Sequence, residues 1–187
     1  MIDLRLTSGD TPVHSDMLMW NFQESVEDAS RQVIAVLFGV PQISVPLDRL
    51  PESHGKMLRF YLAFWRKYRE VLLGGEFLPL APEQNYPVVS ATKDGHTIVA
   101  IYGNAIHRHH AGGRRLTVVN GGSSEAVVVD FGPMTRRARW ESVDCMGNVL
   151  DRTAAEDLQG LREFPVPVGG ILEWVFPESV SSKQDCA

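Results

Sequence analysis

The stretch Thr11-Pro12-Val13-His14-Ser15-Asp16-Met17-Leu18-Met19-Trp20-Asn21 decides how this chain is read. A Thr-Pro-Val run feeds a short cluster of side chains that hydrogen-bond or stack. The Asp16 carboxylate accepts two hydroxyl hydrogen bonds, His14 adds a donor or an acceptor, and the Trp20 indole offers a flat face that covers the apolar side of a pyranose ring. Those groups, with Asn21, make one piece of a carbohydrate site. On spacing alone the alternative has equal weight: Asp16 ties a loop and Trp20 belongs to a core.

Outward from this stretch the pattern turns helical. Ser25 caps a helix with Asp28 three residues on, and Val26, Ala29, Val33 and Leu37 recur at helical spacing until Gly39 and Pro41 stop it. A second helix begins near Pro51, with Leu58, Tyr61, Leu62, Trp65, Tyr68 and Leu72 as its apolar stripe and Gly74-Gly75 at its end. Lys56, Arg59, Arg66, Lys67 and Glu70 read as its solvated face.

From Pro79 to Pro87 a proline-rich link intervenes, and the period then switches to alternation. The spacing predicts strands over Val88–Thr92 and Thr97–Tyr102 around the Lys93-Asp94-Gly95 turn, and over Leu116–Asn120 and Ala126–Phe131 around Gly121-Gly122-Ser123-Ser124. Arg139–Cys145, Val149–Thr153 and Ile171–Phe176 follow, with Met146-Gly147-Asn148 as a turn. The count suits a small antiparallel β-sandwich. The polar residues 178–187 read as a frayed tail.

With 187 residues, 44% of them hydrophobic and 22% charged, the chain suffices for one domain or for a fragment carrying a small one. Its net charge of -5 gives no electrostatic reason to bind nucleic acid or an acidic membrane, so neither is an expected partner. Two cysteines, Cys145 and Cys186, make no disulfide framework and no zinc-ligand spacing, which fits a reducing cytoplasm. No run of 18 apolar residues occurs, and the N-terminus lacks the blocks of a signal peptide.

Other constellations are weaker. His107, His109 and His110 invite a metal, but no acidic or cysteine partner stands nearby, and the following Ala-Gly-Gly-Arg-Arg favours an exposed hairpin loop. The glycines never form a phosphate loop between strand and helix, and Ser15, Ser44 and Ser90 lack the glycine-flanked elbow of a hydrolase nucleophile. His54 reads as a surface or interface histidine. No metal and no cofactor is expected.

Several segments resemble, in order, those of the α-galactosidases of glycoside hydrolase family 36, the melibiase group. Val13-His14-Ser15-Asp16-Met17-Leu18-Met19-Trp20, the helix start Ser25-Val26-Glu27 and Val36-Leu37-Phe38-Gly39-Val40-Pro41-Gln42-Ile43-Ser44 are similar to the end of that family's barrel. Leu50-Pro51 with His54, Phe64-Trp65-Arg66, Arg69-Glu70 and Leu72-Leu73-Gly74-Gly75-Glu76-Phe77 resemble its closing helix. Tyr86-Pro87-Val88-Val89, Ile98-Val99-Ala100-Ile101-Tyr102 and Val118-Val119-Asn120-Gly121 are similar to its C-terminal β-domain. The likeness runs to about Phe131.

The resemblance implies a fold of α/β plus all-β class: residues 1–78 as the C-terminal part of a TIM (β/α)8 barrel, with Thr11 to Asp16 as its last strand, and residues 79–177 as an antiparallel β-sandwich. Asp16 would point into the mouth of the barrel, with His14 and Trp20 as supports or sugar contacts. Retaining enzymes of this kind use two carboxylates about 5 Å apart, and both belong to earlier strands. The Lys-x-Asp nucleophile strand and the Arg-x-Asp acid/base strand that carry them are absent, and neither Asp3 nor Asp16 matches those motifs, so no catalytic role is carried onto this chain. The expectation is therefore the C-terminal fragment of a retaining α-galactosidase-like hydrolase, inactive alone, whose partners are an α-galactoside and the missing barrel part or a second copy. The alternatives are a non-catalytic carbohydrate-binding or structural β-module, with Tyr86 and Trp140 as its exposed aromatics, and a remnant without function.

Overall fold

The computed structural model describes residues 1–9, 11–109 and 112–177; the expected tail over 178–187 and His110 lie outside the described residues. Ser25 caps as its position predicts. Its Oγ accepts from the Asp28 backbone N–H at 3.1 Å and donates to the Asp28 carboxylate at 2.8 Å, starting helix α2, Val26–Ile34. The long helix α3 spans Glu52–Gly74 with Pro51 as N-cap, and Gly75 ends it. Its buried side chains His54, Met57, Leu58, Tyr61, Phe64, Tyr68 and Leu72 recur three and four positions apart, with Met57 and Leu58 side by side, the period that puts them on one face.

A short helix not foreseen in the sequence, α1, spans Ile2–Thr7. It delivers Arg5 to a buried position, where the guanidinium donates to the carbonyls of Phe38 at 3.1 Å and Leu73 at 2.5 Å. Leu73 lies in the last turn of α3, so Arg5 satisfies a carbonyl that the helix leaves open. The same guanidinium stacks over the Phe77 ring.

Strand β1, His14–Leu18, pairs in parallel with β2, Val40–Ile43, and α2 forms the crossover between them. Here the expected end of a TIM barrel is corrected. Among the described residues β1 and β2 pair with each other alone, in a two-stranded sheet, and most of the other ordered chain goes into β-structure of a different architecture. A strand followed by helices has the same local pattern in any parallel α/β unit, and closure depends on strands that this segment does not contain.

The other strands are β3 (Glu76–Leu80), β4 (Val88–Lys93), β5 (His96–Ile101), β6 (Ile106–Arg108), β7 (Arg115–Asn120), β8 (Ala126–Asp130), β9 (Arg136–Val143), β10 (Val149–Leu158), β11 (Leu161–Pro165) and β12 (Ile171–Val175). They build a seven-stranded sheet in the order β10-β9-β12-β7-β5-β4-β3, facing a three-stranded sheet in the order β11-β8-β6. The sandwich is mixed rather than antiparallel: β5 pairs with β7 and β6 with β8 in parallel. The cause is β6, which leaves the large sheet for the small one, so that the chain returns beside β5 in the same direction. For the same reason β7 and β8 are not a hairpin; they lie in different sheets.

The Asp94-Gly95 turn between β4 and β5 is as read from the sequence. Both residues have positive φ, 51° and 75°, the geometry whose twist matches an antiparallel pair. In the turn after β9, the Asp144 carboxylate accepts from the backbone N–H groups of Met146 and Asn148 at 2.8 and 2.9 Å. The proline-rich link is partly ordered. β3 takes up Pro79 because it is an edge strand, where a missing N–H costs no ladder bond, and the expected domain boundary at residue 78 falls inside it.

Three layers result. One apolar cluster lies between the two sheets, around Leu116, Val118, Leu172 and Trp174. A second lies between the large sheet and the helices, joining Ala29, Val33, Met57, Tyr61 and Leu72 to Val89, Ile98 and Ala100. Tyr61 Oη donates to the Gly169 carbonyl at 2.5 Å, and Gly169 must lack a Cβ because one would strike Ser30 of α2. Among the described residues no helix is long and apolar enough to cross a membrane.

Candidate functional site

The residues singled out in the sequence separate into two environments. His14 and Asp16 are exposed on β1, whereas Ser15 is buried and its Oγ accepts from the Gln42 N–H of β2 at 2.8 Å. The exposed Asp16 carboxylate accepts from the adjacent Met17 N–H at 2.7 Å, which fixes one oxygen and leaves the rest of its acceptor capacity toward solvent. Met17 and Met19 beside it are exposed at 65% and 63%, an apolar margin to a polar group.

Trp20 is directed elsewhere. Its indole N–H donates to His54 Nδ1 at 3.0 Å, and the ring is partly buried against the helix-side cluster. Phe22 meets the same imidazole edge-on, with centroids 6.4 Å apart. Trp20 thus has the core role that spacing left open, and His54 is 2% exposed rather than a surface histidine. The signal was present in the sequence: His54 precedes Leu58 by four residues and Tyr61 by seven, which places it on the apolar stripe.

His107 and His109 are buried, against the expectation of an exposed loop, because β6 joins the three-stranded sheet. His109 Nε2 lies 2.8 Å from an Arg136 Nη, and its ring stacks on Phe176 at 5.2 Å. Among the described residues no group of three His, Cys, Asp or Glu side chains is placed to hold a metal ion. The two aromatics expected to be exposed are engaged. Trp140 donates from Nε1 to Glu156 at 2.6 Å, and Tyr86 donates from its hydroxyl to Asp3 at 2.5 Å.

A polar network that sequence reasoning missed lies where α3 crosses the large sheet. Tyr68 Oη donates to Glu173 Oε2 at 2.9 Å, and Thr117 Oγ1 donates to the same oxygen at 3.2 Å. His96 Nε2 stands 2.9 Å from Thr117 Oγ1; with that hydroxyl donating to Glu173, His96 donates to Thr117. Arg115 adds a guanidinium 3.8 Å from the other Glu173 oxygen. Burial pushes the His96 imidazole down to about 4, even with the Glu173 carboxylate close by, so it is neutral near pH 7. Strand register sets this network, and a single strand's sequence does not reveal register.

No family model matches the chain, and no curated protein does. Among solved structures it is similar to CelM2, described as a bifunctional glucanase-xylanase protein from a metagenome library, with a TM-score of 0.43 and 11% identity. That alignment covers 94% of this chain and 33% of the other, so the chain spans about a third of that structure's length.

Proposed function

We propose that this chain is a non-catalytic part of a retaining α-galactosidase-like glycoside hydrolase. Asp16 and His14 contact a terminal α-D-galactosyl residue, and the bond-breaking carboxylates come from outside this chain. The observation that carries the reading is β1 itself. An exposed carboxylate and imidazole stand on a parallel strand whose sheet has only two members among the described residues, flanked by exposed Met17 and Met19. Parallel sheets are otherwise covered on both faces, so the uncovered face of this unit is suited to assembly with another protein surface. Leu4, Leu6 and Leu47, also exposed, add apolar surface for such an assembly.

The substrate class is what the resemblance to the family 36 α-galactosidases implies. Cys145 lies buried in the core, where burial pushes its thiol up to about 12. The test pairs calorimetric titration of the chain with raffinose and an assay of galactose release. The expected outcome is saturable binding without hydrolysis; no binding, or galactose release by the chain alone, overturns the reading.

A further inference from the structure

Beside α3, the helix-facing side of the large sheet opens into a groove of about 610 Å³ lined by Arg139 and Glu141 of β9, Arg152 of β10 and Glu173 and Val175 of β12. Glu141 and Glu173 also line a neighbouring hollow of about 290 Å³, which Phe60, Phe64 and Lys67 of α3 complete. The first volume lies within the ~300–1,000 Å³ typical of small-molecule sites.

Strand register explains how these groups meet. One row across the sheet runs Phe77, Ala91, Ile98, Thr117, Glu173, Glu141 and Arg152, each the partner of the next. The helix covers the apolar end of the row and leaves the charged end open. Glu173 and Glu141 stand directly opposite each other, a like-charge pairing that disfavours the sheet. Glu173 is nevertheless held in place by Tyr68, Thr117 and Arg115.

The other charges in the groove are not used by the fold. Among the described residues the side chains of Glu141, Arg139 and Arg152 make no hydrogen bond or ion pair, although Arg152 is the register partner of Glu141. The groove presents an array of two carboxylates and two guanidinium groups, with Lys67 and the Glu173-paired Arg115 adding positive charge at its helix end. It suits vicinal hydroxyls, each of which can donate to a carboxylate while accepting from a guanidinium, and the Phe60 side of the hollow suits the C–H face of a sugar ring.

We propose that this groove is a second carbohydrate-binding site, taking a short neutral oligosaccharide through Glu141, Glu173, Arg139 and Arg152. The ligand class rests on the function proposed above; the location is separate from β1. The test follows the backbone amide resonances of the isotope-labelled chain during titration with raffinose, and repeats it with Glu141→Ala and with Arg152→Ala, both exposed positions outside the cores. Saturable shifts at residues 139–141, 152 and 173–175, weakened about tenfold or more in either variant, are expected. Shifts confined to residues 14–20 overturn the groove and leave the function proposed above standing. Shifts at neither place overturn both, and tighter binding of inorganic phosphate than of raffinose in the groove overturns the neutral ligand class.

Discussion

The Trp20 indole N–H donates to His54 Nδ1 at 3.0 Å, tying the end of β1 to the first turns of α3 across thirty-four residues. Because Nδ1 accepts, the His54 proton sits on Nε2. Trp20→Phe keeps an aromatic ring against the core but leaves a buried imidazole nitrogen without its donor. The expected loss is about 1–3 kcal/mol in urea unfolding, and an unchanged midpoint would contradict the structural role given to Trp20.

Asn120 is held by several side-chain hydrogen bonds in the sandwich. Its amide donates to the carbonyls of Ser124 at 2.7 Å and Val166 at 2.8 Å, and its oxygen accepts from the Gly122 N–H at 3.1 Å. The residue is buried and joins β7 to the segment before β12. Asn120→Ala strands these groups together, and about 3 kcal/mol of stability should go with it. Less than about 1 kcal/mol would mean that water replaces the amide.

His96 gives the fold a dependence on pH. Its folded value, about 4, lies below the ordinary 6.5, so the unfolded chain takes up a proton first as pH falls. Stability from this group is full above about pH 6.5 and declines as pH drops toward 4, by about 1–2 kcal/mol once partial exposure is allowed for. His96→Gln should flatten that part of the profile. An identical slope in the variant would show that other groups set it.

Hydrogen exchange should divide the sheets. β5, β7 and β12 are interior strands with both neighbours paired, whereas β1 and β2 have one partner each among the described residues. The β1 and β2 amides are expected to exchange at least about 100-fold faster in the isolated chain, a difference of roughly 2.7 kcal/mol in opening energy. Equal protection would show that the two-stranded unit is stable without further strands.

The sequence was legible where structure is set locally. The Ser25 cap, the α3 stripe, the Asp94-Gly95 turn and the Met146-Gly147-Asn148 turn each rest on residues a few positions apart. β6 and β2 were hidden by their length of three and four residues, and β3 by its proline. The architecture around β1 was misjudged because a strand and a crossover helix do not say how many strands complete a sheet. The Glu173 network and the Glu141–Glu173 opposition were out of reach for a related reason: they join residues far apart in the chain, 56 positions for Thr117 and Glu173 and 105 for Tyr68 and Glu173.

The most direct test of the central claim is calorimetric titration with raffinose of a chain carrying Glu141→Ala, so that the groove is weakened, with and without Asp16→Asn. The account predicts saturable binding that Asp16→Asn weakens about tenfold, through loss of a charge-assisted hydrogen bond to a sugar hydroxyl. Binding that is absent, or indifferent to Asp16, would contradict it.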